Sequence, residues 1–347
     1  MLSPGSLRVG SRTARAAEHR EAACGSGAIV LAASLWGTIG LARSFLPGSV
    51  PAVAVAAART AVGGALLLAF CCRPAEVGAV LADPVSRRRV LTAGVAMAAY
   101  QGLFFLALGR AGVATGVVVT MCTVPVFGGA LEALSRRRRP GHRWAVSTGL
   151  AIGGCLLLAG GPAAAGARMV LGVLFGVAAG AAYIGFTAAS SRAVTGGVRS
   201  STVMAFAFGT AGLLLSPVLV VGQQGWLGTG RGIAVVGYLA VVATMGAYVA
   251  YGRGLRAVPL AHVGGLVLAE PVVAAVVGIV LLHEPCTARR ALGLGLTAAA
   301  LVVITAGHWR WPNRGPRHPD RGARLRCVAR RRLGRAGPLA VIDGRGR

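Results

Sequence analysis

The chain contains no lysine; all 36 of its basic residues are arginine. Acids are scarcer still, nine in 347 residues, and charged residues make up 13% of the whole. Soluble domains average about 25%, so this is not the composition of a water-facing enzyme with acids clustered on its loops. Common catalytic patterns are missing too. There is no Gly-x-Ser-x-Gly turn, no His-Glu-x-x-His helix and no Gly-x-x-x-x-Gly-Lys loop to cradle phosphates. An ATP-driven pump is therefore not expected of this chain, nor is an enzyme. The seven cysteines (24, 71, 72, 122, 155, 286 and 327) have neither metal-ligand nor paired-disulfide spacing. Most read as small hydrophobes in or beside apolar segments. His262 and His283 lie near the ends of apolar runs without companion ligands. No metal or other cofactor is expected.

What the chain has is hydrophobic length. Fifty-five per cent of it is hydrophobic and 53 residues are glycine. Ten apolar segments stand out, at approximately 27–46, 51–72, 90–109, 113–134, 144–161, 169–191, 201–222, 233–252, 259–282 and 289–307. A helix needs about 20 such residues to cross a bilayer. The fold expected is an all-α polytopic membrane protein of ten transmembrane helices, with the lipid bilayer as a partner and the cytoplasmic membrane as its place. The first run is too long for a signal-peptide core and reads as a retained helix. Residues 1–25 and 312–347 are polar, rich in Arg, Gly and Pro, and expected to be disordered.

Arginine also sets an orientation. With the N-terminus inside, 13 loop arginines face the cytoplasm and six face outward, and both basic tails fall inside. Twelve arginines lie in the tail from Arg310. Beside a last span such a tail marks the cytoplasmic side or touches anionic lipid, and nucleic acid is not expected as a partner.

The chain repeats itself. Laid without a gap on 256–307, residues 110–161 match at Arg110/Arg256, Ala111/Ala257, Val117/Val263, Pro125/Pro271, Val126/Val272 and Gly149/Gly295, among others. The repeats expected are 26–162 and 168–308. Five helices per half is an odd number, so the second half enters the membrane the other way up. Inverted repeats are the usual plan of secondary transporters, with a solute site near the midplane between the halves.

Within Leu260–Leu282, Glu270 sits near the middle and Pro271 follows it. A charge at that depth costs roughly 2.5–3.5 kcal/mol on insertion scales. Proline removes a helical hydrogen bond and frees the carbonyl of Val267. Both are tolerated only where the helix faces protein or a water-filled cavity. Glu270 thus reads as a site residue, the alternative being a structural acid bonded to a neighbouring helix. Pro125, at the equivalent place in the first half, would lie across the same cavity. Trp36, in Leu35-Trp36-Gly37, is a mid-span indole that either lines a pocket or packs. Arg59 lies deep in the second span, to bind a carboxylate through its fork or to pair with Glu132 or Glu270. Tyr100, Gln101 and Tyr248 place polar groups inside apolar runs, either as cavity wall or bonded to helix backbone. Glu132 reads as an interfacial acid neutralised by Arg136–Arg139. The spacings Gly172-x-x-x-Gly176-x-x-x-Gly180 and Gly149-x-x-x-Gly153 predict close helix approach and leave a homodimer open.

These residues together resemble the EamA family of the drug/metabolite transporter superfamily. The resemblance rests on Leu35-Trp36-Gly37, Arg59, Pro125, the run Gly254-Leu255-Arg256-Ala257-Val258-Pro259, Glu270-Pro271, and His283-Glu284-Pro285 leading to Gly293. The acid expected 13 residues after the helix-four proline is Arg138 here, whereas Glu284 fills that place in the second half. The family implies ten helices in two inverted five-helix repeats. It also implies export, by alternating access, of small metabolites such as amino acids. Two rivals stay open. One is a proton-coupled multidrug exporter, whose single-repeat relatives carry an acid in the first helix that this chain lacks. The other is an intramembrane lipid-modifying enzyme, which would need interfacial acid, His or metal clusters. Proton coupling is left open with them.

Overall fold

The computed structural model describes residues 4–136, 141–159, 167–221, 225–283 and 287–306. The arginines 137–139, Glu284 and the tail from 312 lie outside the described residues. Among those described, every regular element is helical.

In chain order the first half comprises α1 (Pro4–Gly37), α2 (Ile39–Ser44), α3 (Ala52–Cys71), α4 (Pro74–Ala82), α5 (Pro84–Ala111), α6 (Val113–Arg136) and α7 (His142–Ala159). The second comprises α8 (Ala167–Thr195), α9 (Ser200–Leu215), α10 (Pro217–Val221), α11 (Gly230–Ala240), α12 (Ala247–Gly254), α13 (Leu260–Leu266), α14 (Ala269–Leu281) and α15 (Ala288–Ala306). A short π-helical stretch, Val241–Gly246, joins α11 to α12. α1 carries helix through part of the polar N-terminal arm as well as the first apolar run.

Nine described stretches are long and apolar enough to cross a bilayer. They coincide with nine of the ten segments expected from sequence. The tenth, the expected fifth crossing, is α7. It forms a helix, but its first turn is His142-Arg143-Trp144, which shortens its apolar part, and residues 160–166 lie outside the described residues.

Three predicted spans are broken, the seventh at Ser216, between α9 and α10. The first gives way at Thr38, where the Leu35 carbonyl accepts from both the Thr38 N–H and its hydroxyl. The ninth is interrupted between Leu266 and Ala269. Pro271 cannot donate to the Val267 carbonyl, and the Glu270 N–H takes that carbonyl instead, in a tighter turn at 2.9 Å.

Helices pack across the halves. α5 lies on α8, α3 on α9, α7 on α15, and α1 on α12 and α14. α5 and α8 are antiparallel: Arg89 near the start of α5 donates to the Arg192 carbonyl near the end of α8, and Arg168 at the start of α8 donates to the Gly109 carbonyl at the end of α5. The predicted glycine face of α8 is a contact face, since side chains at Gly172, Gly176 and Gly180 would run into Ala111, Val119 and Thr123. Between α7 and α15 the close approach falls at Gly154 and Gly293, not along the predicted Gly149 and Gly153. The spacing of two glycines identifies a smooth face; which face meets a neighbour depends on the partner helix.

Candidate functional site

The break in the ninth span places Glu270 in the first turn of α14. Backbone N–H groups at a helix start favour negative charge there. α1 comes close because residue 37 is glycine: a Cβ at Gly37 would stand 2.8 Å from the Glu270 carbonyl oxygen and from Val273 Cβ. That contact carries Trp36, one residue earlier, to the same level as Glu270.

A small cavity lies at this level, lined by Trp36 and Ile39, Arg59, Tyr100, Met121 and Val124, Tyr183, Tyr248, and Val267 with Glu270. Its free volume is about 20 Å³, room for about one water. The walls are aromatic. Trp36 and Tyr248 have ring centroids 4.7 Å apart, Tyr248 leans on Phe208 at 4.1 Å, and Tyr100 meets Tyr183 edge-on at 5.2 Å.

The polar groups of this cavity are incompletely satisfied. Arg59 is nine-tenths buried; its Nη2 donates to Gln101 Oε1 at 3.5 Å, and its Nη1 has no hydrogen-bond partner. Gln101 is held in turn by donating Nε2 to Thr60 Oγ1 at 3.0 Å. Trp36 Nε1 and the Tyr183 hydroxyl are also buried without partners. A buried unsatisfied donor costs about 1–3 kcal/mol. Three such groups line one cavity together with the carboxyl-bearing Glu270.

Of the residues singled out from sequence, Trp36, Arg59, Tyr100, Tyr248 and Glu270 line this cavity. Gln101 stands behind it and touches it only through Arg59. Pro125 packs instead against Gly264 of α13, where a Cβ would lie 2.9 Å from the proline Cα. Pro271 acts through the helix break. Of the pairings open to Arg59, none with an acid is formed among the described residues. Glu132 is buried, and its Oε2 accepts from the Ala261 N–H at 2.7 Å. It therefore caps α13, whose N-cap residue is Pro259 and has no side-chain acceptor.

Tyr183 was missed. The repeat supplied a signal for it, since the 146-residue shift relating 110 to 256 carries Trp36 to within one residue of Tyr183. The same shift relates Met121 to Val267 and Val124 to Glu270, and all four line the cavity. The two halves thus contribute equivalent positions, but only the second places an acid there.

Comparison with known proteins agrees with this architecture. The profile of the EamA-like transporter family matches residues 24–160 and again 170–306, the second match beginning 146 residues after the first. An uncharacterized transporter of Bacillus subtilis (strain 168), YwfM, is 34% identical over 289 residues, covering 80% of this chain and 92% of that one. A protein of known crystal structure shares the fold with a TM-score of 0.68 at 22% identity, over 82% of this chain and 98% of the other.

Proposed function

Because the chain belongs to the EamA-like transporter family of the drug/metabolite transporter superfamily, and so is a membrane transporter, we propose that it exports small zwitterions of the amino-acid class by alternating access. The observation that carries this reading is the unpartnered Arg59 Nη1, which lines one small cavity together with Glu270. A guanidinium fork matches a carboxylate, a carboxylate matches an ammonium group, and the aromatic rings between them suit either an apolar side chain or the cation itself. With room for about one water, the cavity described is too small for such a solute. The reading requires the walls contributed by the two repeats to part toward one side and then the other. α7 then serves as the tenth crossing, and both termini lie in the cytoplasm.

Counterflow in proteoliposomes tests this. Vesicles preloaded with L-leucine should accumulate labelled L-leucine or L-phenylalanine, and Arg59→Lys should weaken the exchange. Tetraphenylphosphonium should not compete, because Arg59 repels a lone cation. Uptake of that cation without amino-acid exchange would overturn the reading in favour of a multidrug exporter. Chemical alteration of the lipid would overturn it in favour of an enzyme.

A further inference from the structure

Hydroxyl groups in the apolar helices usually bond to a carbonyl of their own helix, as Ser26, Ser34, Thr120 and Thr305 do here. Two on α8 do not. The Tyr183 hydroxyl and Ser190 Oγ are buried and have no hydrogen-bond partner. Buried polar groups left unsatisfied in this way call for an explanation. Between them on the same helix is Thr187, fully buried, and residues at these spacings share one helix face. Thr187 Oγ1 donates to the Tyr183 carbonyl at 2.9 Å and lies 2.8 Å from the hydroxyl of Tyr251 on α12. Since Thr187 has one hydroxyl proton and gives it to that carbonyl, Tyr251 is the donor in the second bond. Turning the Thr187 hydroxyl toward Tyr251 reverses that bond.

The file starts at the cavity, where Tyr183 stands with Glu270. It continues through the Tyr251–Thr187 pair to Ser190, roughly 10 Å further along α8 at 1.5 Å per residue. It points to the end of α8 at Thr195, near Arg192 and Arg199, the face that the arginine distribution assigns to the cytoplasm. Thr187 and Ser190, one helical turn apart with Cβ atoms about 5–6 Å from each other, leave a gap that suits a single bridging water.

We propose that Tyr183, Tyr251, Thr187 and Ser190 form a proton relay linking Glu270 to the cytoplasmic face. It rests on Glu270 being the acid of the transport site. In each transfer an oxygen accepts a proton from the cytoplasmic side and passes its own proton on toward Glu270. The net change is one proton moved from cytoplasmic water to the Glu270 carboxylate, which becomes the neutral acid, and nothing is oxidised or reduced. Reorientation of the hydroxyls resets the file. Glu270 is faced in the cavity by Arg59 from α3, Tyr100 from α5, Tyr183 from α8, Tyr248 from α12 and Trp36 from α1. Among these lining residues Arg59 is the only cation. Protonation of Glu270 would remove the carboxylate that holds an ammonium group, so an arriving proton would displace the solute.

The proton itself is the probe. In nanodiscs holding the full chain, a pH jump followed by infrared difference spectroscopy reads the carboxyl band of Glu270, identified by its loss in Glu270→Gln. Thr187→Val keeps the shape of the side chain and should slow the rise of that band about tenfold or more. Tyr251→Phe and Ser190→Ala should slow it in the same direction, and Thr187→Ser should restore it. Equal rates in wild type and all three blocking variants would overturn the relay. So would a Thr187→Ser variant as slow as Thr187→Val, which would indicate lost packing, or the absence of any band removed by Glu270→Gln. L-Leucine counterflow measured on the same preparations reports separately on transport. Loss of the relay with intact exchange therefore leaves the transport reading standing.

Discussion

Arg59 and Glu270 share a cavity without forming an ion pair among the described residues, and in the proposed function this separation leaves them available to a solute. A direct bridge would satisfy both groups and leave nothing for a zwitterion to complete. Gln101 and Thr60 hold the guanidinium from behind through one nitrogen and leave the other toward the cavity. Arg59→Lys preserves the charge and removes the fork. It is expected to cost about 2 kcal/mol of solute binding, roughly thirtyfold in Kd, measured by calorimetry on the purified protein with L-leucine. Gln101→Leu should weaken binding in the same direction but less, because Gln101 acts only by orienting Arg59. An effect of Gln101→Leu larger than that of Arg59→Lys would count against this division of roles. Glu270→Gln should reduce counterflow more than tenfold while leaving the melting temperature close to that of wild type. Normal flux in that variant would remove Glu270 from the site.

At the scale of elements, the broken ninth span and the cap on its first piece were not equally legible. Glu270-Pro271 announces the break by a local rule, since proline lacks the N–H that Val267 would have received, and the sequence alone places it within a few residues. Trp36, Arg59, Tyr100 and Tyr248 drew attention as polar groups inside apolar runs, and only the packing decided between cavity wall and plain helix contact. Glu132 was not. Its acceptance of the Ala261 N–H joins residues 129 positions apart, and no spacing in the chain encodes that contact; the side chains of Arg136–Arg139 lie outside the described residues. The orphaned hydroxyls of Tyr183 and Ser190 were equally hidden, because only packing determines which hydroxyls find a carbonyl. The cap has a measurable consequence. Glu132→Gln retains the side-chain shape but replaces a charge-assisted bond by a neutral one, so thermal stability in detergent should fall by about 1 kcal/mol. Glu132→Leu should cost more, because the Ala261 N–H is then left buried without its partner. No change in melting temperature for either variant would show that α13 does not depend on this cap.

On the scale of the whole molecule, the halves are tied together at one face by a cluster at the ends of the spans. Glu76 on α4 accepts from Thr202 Oγ1 at 2.7 Å and pairs with Arg199 at 3.2 Å, joining the first repeat to the start of α9 in the second. The Thr202 hydroxyl, followed by Arg199, holds the Glu76 carboxyl below its ordinary 4.5. A depressed acid stabilises the folded chain fully above its unfolded pKa, and this contribution is lost as pH falls through the folded value. Acidification below about pH 4.5 should therefore destabilise the wild type more than Glu76→Gln, and melting curves across that range would show the two converging. This cluster, Arg89 with Arg192, and the contact of Gly25 near the start of the first span with Gly254 all join segments that the inverted ten-helix reading assigns to the cytoplasmic side. Were the repeats parallel, or α7 not a crossing, the second half would carry these residues to the opposite side. Single-cysteine labelling decides it. In a cysteine-free chain in intact cells, His142→Cys, beside the arginine-rich turn before α7, should resist an impermeant maleimide added outside. His283→Cys, exposed at the end of α14, should react with it. Labelling of His142→Cys with protection of His283→Cys would invert the orientation, and with it the direction assigned to the relay. Like behaviour of the two, both protected or both labelled, would remove α7 from the list of crossings.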